Sequence, residues 1–156
     1  MIKLMKQIKI MLLLLMAFAA CKEVFETPPQ SLVEVAVAYS DSKQTGSPAI
    51  SVQGVDRDSI WIYQLRTKQF RLPLSKYDSS SFVVLFDSIP DTLTIYHDTK
   101  LSYESMESGF FTEHFITGIK HSWNRIDSLM VVDSTVNQFW HENIRLYIAN
   151  LPAGTE

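Results

Sequence analysis

Leu32-Val33-Glu34-Val35-Ala36-Val37-Ala38-Tyr39 alternates with a period of two. Val33, Val35, Val37 and Tyr39 fall on one side, Glu34 and the two alanines on the other. That is the pattern of a strand with one face in a core. Ile50-Ser51-Val52 is a short second run, and Ser59 to Leu65 is rich in aromatic and β-branched residues. Gln69 to Leu74 places Phe70, Leu72 and Leu74 at period two, with Pro73 pushing that strand toward a sheet edge. Phe82 to Phe86 is apolar on both faces, which predicts a fully buried strand. Thr92 to His97 sets Leu93, Ile95 and His97 on one side; Phe110 to Ile119, Leu129 to Val132 and Ile144 to Ile148 complete the series. Short strands at this spacing predict an all-β fold, an antiparallel β-sandwich of immunoglobulin-like or similar type. Thr135 to His141 reads as one or two helical turns with Val136, Phe139 and Trp140 facing inward.

The whole chain has 156 residues, about one domain's length, and a formal charge of −3. One Cys excludes a disulfide framework and a cysteine zinc cage. The acidic balance argues against a nucleic-acid partner.

The N-terminus reads as an address. Lys3, Lys6 and Lys9 precede an unbroken apolar run from Ile10 to Ala20. As a helix that run would rise only about 16 Å, short of a ~30 Å hydrocarbon core. A cationic start, a short apolar middle and small residues at the end form a signal peptide. Cys21 follows at once, in Ala19-Ala20-Cys21, which resembles the cleavage and lipidation box of bacterial lipoproteins; ordinary cleavage after Ala17-Phe18-Ala19 is the competing reading. Cutting before Cys21 removes three lysines and no acid, so the net charge moves from −3 to −6. Lys22 to Ser31, with Pro28-Pro29, reads as an extended tether; Lys22-Glu23 resembles a surface-export signal, and a plain solvated linker is the alternative. The expected organisation is a lipoprotein signal peptide at 1–20, a lipid-anchored tether at 21–31, a β-sandwich domain at 32–150 and a tail at 151–156.

Asp recurs before strands, in Asp58-Ser59, Asp91-Thr92, Asp127-Ser128 and Asp133-Ser134. Local turns that launch strands explain this better than calcium, since no Asp-x-Asp-x-Asp-Gly occurs. The histidines (His97, His114, His121, His141) form no paired metal motif, and His114 and His121 would lie on opposite faces of one regular strand. Glu107-Ser108-Gly109 upstream of His114 is a thin case for a nucleophile, and no Gly-x-Ser-x-Gly elbow exists. Trp61, Trp123 and Trp140 would stack on glycan rings if exposed, but core packing is expected of them, as of Phe110, Phe111 and Phe115. Gly109 should supply a backbone angle closed to other residues. His141-Glu142-Asn143 reads as a turn whose side chains bond the backbone, with a recognition site as the alternative. No catalytic residue, cofactor or metal ligand is assigned. Cys21 is the lipidation site, and Trp123, His141 and Glu142 make up the candidate recognition surface.

Ser105-Met106-Glu107-Ser108-Gly109-Phe110, Asn124-Arg125-Ile126-Asp127-Ser128 and His141-Glu142-Asn143-Ile144-Arg145, with the lipoprotein start, together resemble a family of small Bacteroidota lipoproteins of unknown function. Members of that family tend to show Ser-x-x-Cys-Gly-Phe and a second Cys near the mature N-terminus. Here Ser108 stands in place of the first and the second is missing, consistent with the loss of a disulfide. The resemblance implies a bacterial envelope location and no established activity. The expected role is non-catalytic: a binding or accessory subunit, anchored in the outer membrane by its N-terminal lipid and partnered by an outer-membrane barrel or another envelope protein. An envelope hydrolase or a glycan-binding lipoprotein is the alternative.

Overall fold

A computed structural model describes residues 30–41, 44–106 and 109–150. The expected signal peptide, Cys21, most of the expected tether, Glu107, Ser108 and the tail lie outside these residues. The described residues form ten strands: β1 (Leu32–Tyr39), β2 (Ala49–Gly54), β3 (Ile60–Arg66), β4 (Gln69–Pro73), β5 (Ser79–Phe86), β6 (Ile89–Ser105), β7 (Gly109–His121), β8 (Ile126–Val131), β9 (Thr135–Val136) and β10 (Glu142–Ile148). They form a four-stranded sheet of order β4-β1-β10-β8 and a six-stranded sheet of order β3-β2-β5-β6-β7-β9. The two sheets pack face to face as a β-sandwich. No helix among the described residues is long and apolar enough to cross a membrane.

Alternation builds the core. Val33, Val35, Val37, Phe70, Leu72, Ile144, Leu146 and Ile148 of the smaller sheet meet Ile50, Val52, Phe82, Val84, Phe86, Leu93, Ile95 and Ile116 of the larger one. Pro73 does mark an edge: β4 pairs only with β1, and Pro73 sits opposite Leu32 at the end of the ladder. Strand pairing is antiparallel except between β1 and β10, which run parallel.

Three expectations are corrected. β5 is buried on one face only; Val83 and Leu85 lie half-buried on the outer face, because no layer covers that side. Residues 135–141 are not helical. Thr135 and Val136 pair with β7, and side chains hold the backbone on either side: Asp133 Oδ1 accepts Thr135 N–H, and Asn137 Oδ1 accepts Phe139 N–H. Val136 is buried, but Phe139 and Trp140 are exposed. β7 is also irregular. Tyr96 faces Gly118 while His97 faces Ile116, so Thr117 is an extra residue that bulges out. The bulge shifts the alternation by one. His114 is opposite Thr99 and His121 is opposite Leu93, so both point to the core side of the sheet.

Candidate functional site

The aromatics are outside. Trp61 and Trp140 are each 49% exposed, Trp123 72%, Phe110 62%. Phe115 is also exposed, and Phe111 is half-buried. The expectation that these rings fill the core is corrected: valine, leucine and isoleucine side chains, with Phe70, Phe82 and Phe86, close the gap between the sheets.

Two of the tryptophans converge on one arginine. Trp61, on the edge strand β3, donates its indole N–H to Arg71 O on the edge strand β4 at 2.8 Å, bridging the open side of the sandwich. Arg71 Nε donates to Glu34 Oε2 at 3.0 Å. The Arg71 guanidinium lies 4.1 Å from the centre of the Trp140 ring, and the Trp140 indole N–H donates to Gln30 O at 3.1 Å. A rigid surface of two half-exposed indoles around a half-exposed guanidinium results. Nothing local in the sequence announces it, since Trp61, Arg71 and Trp140 come from three separate segments.

Inside the sandwich lies a polar cluster. Ser80 Oγ pairs with His97 Nε2 at 3.1 Å, and Thr99 Oγ1 with His114 Nδ1 at 3.1 Å. The two imidazoles meet edge to face, 4.9 Å between centres. Burial lowers the His97 pKa, with Asp78 and Asp98 partly opposing; burial and then His97 push His114 down to about 4. Ser80 and His97 touch as a nucleophile and base do, but the group beyond His97 Nδ1 is the Thr99 hydroxyl at 3.5 Å rather than a carboxylate. Ser80 Oγ also accepts Ser75 N–H at 2.8 Å. His114 lines a cleft of about 410 Å³, together with Gln30, Leu32, Leu74, Lys76 and Phe110.

The anticipated recognition residues do not share one surface. Ile148 faces Ile126 and Ile144 faces Val131, so β10 carries Glu142 to one end of its sheet and leaves Trp123 near the other, about 20 Å away. Trp123 packs on His121, 4.3 Å between ring centres. His141 Nε2 lies 3.1 Å from Asp133 Oδ2, and its Nδ1 donates to Phe139 O. Glu142 accepts two bonds from Arg145, which lower its pKa. The expected turn at 141–143 is corrected, since Glu142 and Asn143 already belong to β10, but Asn143 does bond backbone: it donates to Asp133 O and Thr135 O and accepts Glu34 N–H. The described residues hold no group of three or more His, Cys, Asp and Glu side chains placed to bind a metal.

Asp91 gathers the loop before β8. Its two oxygens accept the Ser122 hydroxyl and the backbone N–H groups of Asn124, Arg125 and Ile126, at 2.6–2.9 Å. Arg125 is 2% exposed and pairs with Asp87 at 3.1 Å, while its Nε and Nη1 meet no protein acceptor.

Residues 49–148 match the family of unknown function DUF6452. The chain belongs to that family. The DUF6452 match runs from the first residue of β2 to the last of β10. It includes Trp61, Arg71, Asp91, the two buried histidines, Arg125 and Trp140, and leaves out β1 with Glu34. No curated protein and no solved structure matches the chain.

Proposed function

We propose that this protein is a lipid-anchored envelope protein that acts as a non-catalytic binding or accessory module, of the small Bacteroidota lipoprotein kind, held at the outer membrane by acyl chains on Cys21. The anchor rests on the sequence: Ile10 to Ala20 followed directly by the only Cys. The binding role is supported above all by the Trp61–Arg71–Trp140 surface. Trp and Arg dominate the energetics of protein interfaces, and here they stand half-exposed on a pre-ordered edge. Confinement to a membrane raises the effective concentration toward other membrane proteins, so a modest contact suffices. An outer-membrane barrel is the partner this reading favours.

The test is mild-detergent extraction of the tagged lipoprotein from its own membrane, in wild-type form and as Arg71→Ala. A barrel protein recovered in stoichiometric amount with the wild type and lost with the variant is the expected result. Equal recovery with both, or none with either, would sink the proposal. The exposure of Trp61 and Trp140 favours glycan binding as a second reading; quenching of tryptophan fluorescence by envelope oligosaccharides, abolished in Trp140→Ala, would support it.

A further inference from the structure

The hairpin of β6 and β7 outruns the sandwich. β5 begins at Ser79, opposite Tyr96, yet β6 continues to Ser105, an overhang of about 30 Å. Along β6 the core-side row is Leu93, Ile95, His97, Thr99, Leu101, Tyr103. The first three are buried, whereas Leu101 and Tyr103 are exposed. Tyr103 lies opposite Phe110, ring centres 5.2 Å apart, and Met106 at the tip is almost fully exposed. Among the described residues the hairpin end thus shows an apolar inner face open to solvent, beside a cleft that Phe110 and Thr112 share with Leu32 and Pro73 of the smaller sheet.

Where the chain enters says what covers it. Gln30 and Phe110 line the same cleft, so the tether reaches the domain at the hairpin end. Nine residue steps separate Cys21 from Gln30, a reach of at most ~32 Å. An acyl anchor on Cys21 thus attaches on the hairpin side of the domain and brings this end nearest the bilayer. From Lys100 to Glu113 the sequence carries three Glu and one Lys, and Lys76 lines the neighbouring cleft, a mildly acidic balance that suits zwitterionic headgroups better than anionic ones.

Resting on the lipid-anchor reading, we infer that the β6–β7 tip, with Leu101, Tyr103, Met106 and Phe110, seats in the headgroup region of a zwitterionic bilayer and fixes the domain upright. Tyr and Phe are suited to that depth.

Cys21 is the only cysteine, so once it is acylated an introduced cysteine is the only free thiol. The processed, full-length lipoprotein is spin-labelled at Tyr103→Cys, at Leu101→Cys and, as control, at Tyr63→Cys. It is then reconstituted in vesicles of phosphatidylethanolamine and phosphatidylcholine. The ratio of oxygen to nickel-chelate collisions should rise several-fold for both hairpin labels on going from detergent-free solution to vesicles, and stay flat at 63. Adding Phe110→Glu, or phosphatidylglycerol to the vesicles, should reverse much of the rise. Vesicles that float with the protein while the hairpin labels remain aqueous would overturn the inference and leave the anchor standing. Labels shielded only after envelope proteins are added would overturn it in favour of a protein partner. Protein that does not float with the vesicles would bring down the anchor reading and this inference together.

Discussion

Asp91 serves a loop 31 to 35 positions later in the chain. Replacing it with Ala orphans three backbone N–H groups at once. Asp91→Ala should cost about 3 kcal/mol or more in urea unfolding, and Asp91→Asn clearly less. The sequence shows Asp91 only as the start of one more Asp-led strand; a bond that skips thirty residues leaves no local mark. Asp133, which caps Thr135 two residues on, is the local turn that the pattern does announce. The buried histidines carry a pH signature. Folded His114 stays neutral down to about pH 4, whereas the unfolded chain takes a proton near 6.5. The unfolded state therefore binds more protons between those values, and stability should climb with pH across that window, by up to about 3 kcal/mol, and level off above it. His97 adds in the same direction. Urea midpoints at pH 4.5 and 7.5 check this, and His114→Gln should flatten the slope.

Strands are the scale at which the sequence is most readable. Alternation marks the inner faces of β1, β4 and β6, and Pro73 marks the edge. It fails where geometry departs from the period. One inserted residue, Thr117, turns His114 and His121 to the same side, and no composition rule reveals a bulge. The reading of residues 135–141 as helix fails for a related reason: apolar spacing there fits a helix, but Asp133, Asn137 and Asn143 take up the backbone groups that a helix would need. The aromatic surface is illegible because a ring's chemistry does not say whether it is inside. Gly109 holds a φ of +75°, and a Cβ there would meet nothing within 4 Å. Gly109→Ala should therefore cost only the conformational term, about 1–2 kcal/mol, seen as a Tm lowered by several degrees.

The whole molecule is an apolar core that holds the Ser80–His97–His114 cluster and has polar closures at its margins. Leu146 sits fully buried in a central strand, so Leu146→Ala should lose about 2–5 kcal/mol. Asp87→Ala would strand the buried Arg125 charge and cost about 3–5 kcal/mol; Arg125→Met, which removes the charge itself, should cost less by the same chemical denaturation. The proposed tether belongs to this scale too: Cys21→Ser should abolish incorporation of labelled fatty acid and leave the signal segment uncut, seen as a larger chain on a gel. The parallel ladder of β1 and β10 sets the order of events. Val35 faces Ile144, so β1 can pair with β4 early but waits for β10 before its sheet is whole. However the chain is delivered, from ribosome or through a pore, its early portion travels unclosed, exposing a hydrogen-bonding margin to any chaperone that binds extended polypeptide. Completion is abrupt, because a single late segment supplies the inner seam of one entire layer.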